Sequence, residues 1–181
     1  MKTAFHFQKG AIMRTLNIDI ETFSSVDITK SGSYKYAMSA DFKILLFAYS
    51  IDGYDVKIVD LAQGETVPGE VLVLLKDKDC IKYAYNAVFE WWCLNMAGIE
   101  TPLEQWHCTM VHGLYCGYTA GLAAIGNAMG LPQDKKKLTT GSALIRYFCI
   151  PCNPTKSNGN RTRNLPQHAP EKWGLFKEYC I

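Results

Sequence analysis

The residue pattern predicts a mixed α/β fold: one sheet, opened by three largely antiparallel strands and flanked by helices. Three observations carry that expectation. From Arg14 to Ile20 the residues RTLNIDI alternate polar and apolar, so that Leu16, Ile18 and Ile20 point one way and Asn17, Asp19 and Glu21 the other. Lys43–Ile51 is an apolar, aromatic-rich run closed by Asp52-Gly53, a hairpin turn signal, with Val56–Asp60 as the returning strand. Beyond Pro68 the spacing changes, and short strands alternate with helical stretches, the order expected of a sheet covered by helices.

The remaining elements follow in order. Gly69–Lys76 reads as a short helix opened by Pro68, and Ile81–Tyr85 as a strand. Asn86 is placed as an N-cap for a helix over Ala87–Met96. Gln105–Thr109 reads as a strand entering a helix from about Met110 to Cys116. Helices are expected at Gly121–Met129 and Leu138–Phe148, parted by Gly130-Leu-Pro-Gln-Asp. Cys149–Gln167, rich in Asn, Gly and Pro, is expected to be a long loop that is mobile or ordered by contacts outside the domain. Helical character resumes at Ala169, with Pro170 at a helix start. No C-cap signal precedes Ile181, which suggests a helix cut from a longer protein. Residues 1–13 read as a leader and 14–181 as one domain.

Of the 181 residues, 48% are hydrophobic and 20% charged. That balance excludes a disordered tail, a collagen-like fibre and a simple coiled coil. No apolar run reaches the roughly 18 residues of a membrane span, and the first residues lack the apolar stretch of a signal peptide. The seven cysteines therefore read as reduced thiols of a cytoplasmic protein. Cys149-Ile-Pro-Cys152 has no second ligand pair to make a zinc site, and it follows a helical run late in the chain, so it reads as packing or loop chemistry. The net charge of +2 conceals a division: nine Lys/Arg against three Asp/Glu over residues 131–181, and ten against fourteen before them. A polyanionic partner brought close to carboxylates would account for this; a solvated, lysine-rich surface accounts for the charge equally well.

Two stretches stand out as chemistry. Asp19 and Glu21 lie on one face at the end of an apolar strand, and two carboxylates so close repel unless a divalent cation joins them. Asp77-Lys-Asp79 has the same spacing and reads as a solvated turn. Glu90 lies one helical turn beyond Asn86. The helix dipole alone explains a carboxylate there, but Trp91 and Trp92 surround it with apolar bulk, and a shared metal would give it a partner. Tyr179, in the final helix, reads alone as a core residue.

Taken together, Asp19-Ile-Glu21-Thr22, then Asn86-Ala-Val-Phe-Glu90, then Tyr179 in a terminal helix resemble the DEDD superfamily of 3′–5′ exonucleases, and within it the proofreading region of phage-type A-family DNA polymerases. Ser31–Ala37, Cys108-Thr109-Met110, Gly130-Leu-Pro-Gln-Asp-Lys and Asn164–Trp173 extend the resemblance from about Arg14 to Ile181. It implies an RNase H-like fold and metal-dependent hydrolysis of the 3′-terminal phosphodiester of single-stranded DNA. It further implies two Mg²⁺ or Mn²⁺ ions between the carboxylates Asp19, Glu21 and Glu90, with Tyr179 orienting the attacking water. Thr22, Phe23 and Asn86 would meet the terminal nucleotide, Phe23 by stacking, and Lys156, Arg161, Arg163 and Lys172 the phosphate backbone.

The sequence departs from the family pattern twice. Glu90 stands where most relatives have aspartate. The fourth carboxylate, expected four residues after Tyr179, would fall beyond Ile181. Three of four ligands imply weak turnover. The resemblance implies a polymerase region of the parent chain as partner, and a host-cell or phage-infected bacterial cytoplasm as location. The alternatives are a remnant that holds a single-stranded 3′ end without cutting it, and an RNase H-like domain acting on another nucleic acid.

Overall fold

A computed structural model describes residues 13–131 and 141–181. Most of the expected leader, the break after Leu131 and the start of the helix expected from Leu138 lie outside the described residues.

Strand β1 (Thr15–Phe23) pairs antiparallel with β2 (Lys43–Ile51), which pairs antiparallel with β3 (Lys57–Asp60). On its other side β1 pairs parallel with β4 (Ile81–Ala84), and β4 with β5 (Trp106–Cys108), giving the order β3-β2-β1-β4-β5. The three leading antiparallel strands stand as expected. Asp52 and Gly53 both have positive φ, 52° and 76°, and the Tyr54 N–H bonds the Ile51 carbonyl at 3.0 Å, so the Asp-Gly pair turns the hairpin. The Asp52 carboxylate also accepts from Arg14 Nε at 2.6 Å and the Thr15 N–H at 2.8 Å, pinning the start of β1 to that turn.

Seven α-helices surround the sheet among the described residues: α1 (Ile28–Ala37), α2 (Gly69–Lys76), α3 (Ala87–Met96), α4 (Thr109–Tyr115), α5 (Leu122–Ala128), α6 (Gly141–Phe148) and α7 (Pro170–Tyr179). α2 and α3 have the expected bounds. α1 was not anticipated. It is broken at Gly32, whose φ of 77° leaves the helical region, and it opens where the Asp27 carboxylate accepts the Thr29 N–H at 2.9 Å.

Strand alternation sorts the core into two layers. Leu16, Ile18 and Ile20 pack with Phe47, Tyr49 and the apolar sides of α2 and α3. Leu46 and Ala48 pack under Leu144, Phe148, Trp173 and Phe176 of α6 and α7. β1 runs to Phe23, beyond its expected end, and its register against β2 slips between Glu21 and Thr22, passing over Leu45. That bulge ends regular pairing beside Glu21. α7 is locked to the sheet by Asp60, which is 2% exposed. Its carboxylate accepts from Trp173 Nε1 at 2.7 Å, Gln63 Nε2 at 2.6 Å and the Gln63 N–H at 3.2 Å, and pairs with Lys177 Nζ at 3.4 Å.

The segment after Cys149 departs from expectation, because contacts within the domain hold it. The Asn164 amide donates to the Tyr147 carbonyl at 2.9 Å, and the Cys152 N–H bonds the Thr162 carbonyl at 2.8 Å. Thr155 and Asn158 cap a short 3₁₀ turn reciprocally. Asn and Gly are frequent here because they make these turns.

Lys82 of β4 is fully buried, and its ammonium donates to the Asp77 carbonyl. Burial pulls its pKa below the usual lysine value. Between its folded pKa and about 10.4 the unfolded chain binds more protons, so stability rises with pH across that window. Lys82→Met is therefore expected to stabilise the chain by on the order of 1 kcal/mol at pH 7, and by less as pH approaches 10. Urea titrations at both pH values measure this, and a loss of stability at pH 7 would contradict it.

Candidate active site

The pleat of β1 places Asp19, exposed, and Glu21, half-buried, on the face opposite Ile18 and Ile20. Glu21 is flanked by two thiols: Cys149 Sγ lies 3.7 Å from Oε2 and Cys180 Sγ 4.0 Å from Oε1. Burial, reinforced by the Glu21 charge, pushes both thiols well up, so they remain S–H donors at neutral pH. The Cys149–Cys152 pair is packing and loop chemistry, as expected. The contacts to Glu21 were not foreseen, since no local pattern links residues 128 and 159 positions apart.

Glu90 reaches the site from the other side. β4 leads through Tyr85 and Asn86 into α3, and Asn86 adopts a left-handed conformation (φ 71°, ψ 48°) that asparagine tolerates better than most residues. Its side chain makes no capping hydrogen bond, contrary to expectation; the residue turns the chain and leaves its amide exposed. Glu90 is 3% exposed, and its Oε2 has no hydrogen-bond partner. Burial raises its pKa well above the usual carboxylate range, and the charges of Asp19, Cys108 and Glu21 add to the rise. Cys108, which is half-buried, behaves differently from the buried thiols. Burial pushes it up, but backbone N–H groups of Val111, Ala87, Asn86 and Met110 outweigh that and hold it below the usual thiol value.

Asp19, Glu21 and Glu90 thus lie within electrostatic reach of one another at the carboxyl ends of the parallel strands β1 and β4, where open α/β sheets bind ligands. They do not form a closed cage: among the described residues no three carboxylate, imidazole or thiol groups already stand at metal-holding distance. Tyr179, at the end of α7, is half-buried with its ring parallel to Phe176, centroids 6.4 Å apart. A cleft of about 190 Å³ opens beside Glu21, walled by Ile20, Ile28, Phe89, Ile145 and Ile150.

Packing engages several of the residues expected to contact nucleotide. Phe23 is 3% exposed in the α6–α7 core, and the Arg163 guanidinium covers its ring at 4.0 Å, so no base can stack there. Thr22 lines the cleft, but its hydroxyl is already 2.9 Å from the Tyr36 hydroxyl. Arg161 is spent within its loop, donating to Asn164 Oδ1 at 2.8 Å and the Asn158 carbonyl at 3.2 Å. Arg163 has its Nε buried without a partner. Lys156 and Lys172 remain exposed, the latter with its ammonium 4.4 Å from the centre of the Tyr147 ring.

No family model matches the chain. A DNA polymerase of Bacillus phage SP02 is 54% identical over 170 residues, which are 93% of this chain and 26% of the polymerase. The chain therefore spans about a quarter of the relative's length. Among solved structures, a Trypanosoma brucei RNase D in complex with GMP aligns with a TM-score of 0.51 at 18% identity, over 92% of this chain and 48% of that one. Brucella melitensis NrnC with bound Mg²⁺ aligns at 0.49 and 15% identity, over 91% and 72%. By fold the chain is RNase H-like, as is the aligned RNase D, and by sequence it is similar to about a quarter of a phage DNA polymerase.

Proposed function

We propose that the chain is a metal-dependent 3′–5′ exonuclease domain acting on the 3′ end of single-stranded DNA, serving as the proofreading part of a replicative polymerase. The observation that carries this reading is the buried, unpartnered Oε2 of Glu90, held near Asp19 and Glu21 at the carboxyl ends of β1 and β4. A buried carboxylate with raised pKa and no partner is costly unless a ligand uses it.

The donors suit Mg²⁺ or Mn²⁺, being hard carboxylate oxygens. Asp19, Glu21 and Glu90 would hold two such ions, which when bound supply a water of lowered pKa and positive charge facing the phosphodiester. Glu90 must give up its proton as it takes up that role. The thiols of Cys149 and Cys180 steady the two oxygens of Glu21. Tyr179 orients the attacking water through its hydroxyl. The apolar cleft beside Glu21 receives the terminal nucleoside and excludes water around it. Exposed Asn86 stands at the edge of this region, and Lys156 and Lys172 meet phosphates further along the strand, giving salt-dependent, sequence-tolerant binding.

A second reading, a module that holds a single-stranded 3′ end with little turnover, is favoured by the absence of a pre-closed three-ligand cluster among the described residues. Incubation of a 5′-labelled oligonucleotide with saturating Mn²⁺ separates the two. Stepwise shortening from the 3′ end, lost with chelator and in Asp19→Ala, is the expected result. Binding without shortening selects the second reading. Shortening of RNA but not DNA would overturn the assigned substrate.

A further inference from the structure

We propose that Gly141 is a positioning residue for Tyr179: the missing side chain at the start of α6 is what lets the tyrosine ring occupy its place. The role assigned to the ring rests on the exonuclease reading; the steric relation does not. A Cβ built on Gly141 would lie 2.1 Å from Cε2, 2.5 Å from Cζ and 2.6 Å from Cδ2 of Tyr179. The Gly141 backbone therefore touches the part of the ring that includes Cζ, the carbon bearing the hydroxyl.

Gly141 is helical, where alanine is the better residue. The ring has little freedom to yield. Its plane is 9° from that of Phe176, which in turn stacks on Phe148 of α6 with centroids 5.4 Å apart. Phe148 and Phe176 are fully buried, and α7 is pinned through Trp173 to Asp60. Gly113 offers the contrast: its added Cβ would meet Ile125 Cδ1 at 2.4 Å, the tip of a flexible side chain that can rotate aside. At Gly141 the obstacle is a flat ring in a stack, so a methyl group must swing the ring and carry its hydroxyl off position.

The test uses the full 181-residue chain labelled with 3-fluorotyrosine, in which Tyr179→Phe identifies the Tyr179 signal among the ten tyrosines. In Gly141→Ala the ¹⁹F signal of Tyr179 should shift while the others hold their places. Turnover of the oligonucleotide should fall about 10²-fold in kcat with KM unchanged, and Gly141→Ala should add nothing in a Tyr179→Phe background. Removing the ring should also relieve the clash: Gly141→Ala with Tyr179→Ala should unfold at a higher temperature than Tyr179→Ala alone. An unmoved Tyr179 signal, or a Gly141→Ala loss that combines in full with Tyr179→Phe, overturns the proposal. If the parent chain shortens no oligonucleotide, the exonuclease reading fails and the fluorine spectra and melting temperatures still decide Gly141.

Discussion

Glu90→Gln is expected to reduce Mn²⁺-dependent shortening of single-stranded DNA about 10³-fold while making the metal-free chain more stable at neutral pH. On the exonuclease reading, the loss follows from removing a negative ligand from the proposed cation site. The gain follows from the same carboxylate's surroundings. Glu90 is buried, its Oε2 lacks a hydrogen bond, and its pKa is raised by burial and by the charge of Asp19. Between the unfolded value near 4.3 and the raised folded value, the folded state holds more protons than the unfolded one. Stability therefore falls as pH rises through that window and levels off above it. Glutamine, neutral throughout, escapes the decline, so the two proteins should match near pH 4 and diverge in the variant's favour toward pH 8. At pH 8 the gap should be on the order of 1–3 kcal/mol. Urea unfolding across that pH range measures it; a gap that widens toward acid, or a variant that keeps full turnover, would contradict the account.

Asp60→Ala should have the largest effect on stability, about 3–5 kcal/mol, because it strips a buried carboxylate from groups arranged around it. Trp173 Nε1 and Gln63 Nε2 would lose the acceptor they hold at 2.7 and 2.6 Å, and Lys177 its ion pair. For a domain of this size the melting temperature should drop by roughly 10 °C. Asp60→Asn keeps one oxygen acceptor and should cost less. Thermal unfolding of the three proteins tests the ranking, and an alanine variant within about 0.5 kcal/mol of the parent would refute it.

The elements that could be read in the sequence are those whose cause is local. The alternation of β1, the Asp-Gly turn after β2, and Pro68 before α2 each act within a few residues. α1 was missed because Gly32 interrupts it and its faces contrast little; it is held instead by Tyr36 and Ala37 entering the core. Asp19 and Glu21 emerge as neighbours from the pleat alone, and Glu90 from the short path out of β4. What stayed hidden is tertiary. Cys149 and Cys180 beside Glu21, Trp173 on Asp60 and Gly141 under Tyr179 join residues far apart in the chain and leave no periodic trace. Phe23 misled for the same reason: a ring past a strand looks like surface until it is seen under the Arg163 guanidinium.

The position of β1 also dictates a timetable. Its antiparallel neighbour follows soon after it, so the β1–β2–β3 meander can zip up as soon as Asp60 has been synthesised. The partners that finish the domain come much later: Trp173 lies 113 residues beyond Asp60, and Cys180 159 residues beyond Glu21. Closing such long loops is the slow part of folding. A nascent chain thus carries a formed hairpin sheet, an uncovered face and an unmated Asp60 until α7 arrives, and Tyr179 takes its place only in that final step. Refolding should show an early phase in backbone signals and a later one in Trp173 fluorescence, with Tyr179 placed in the second.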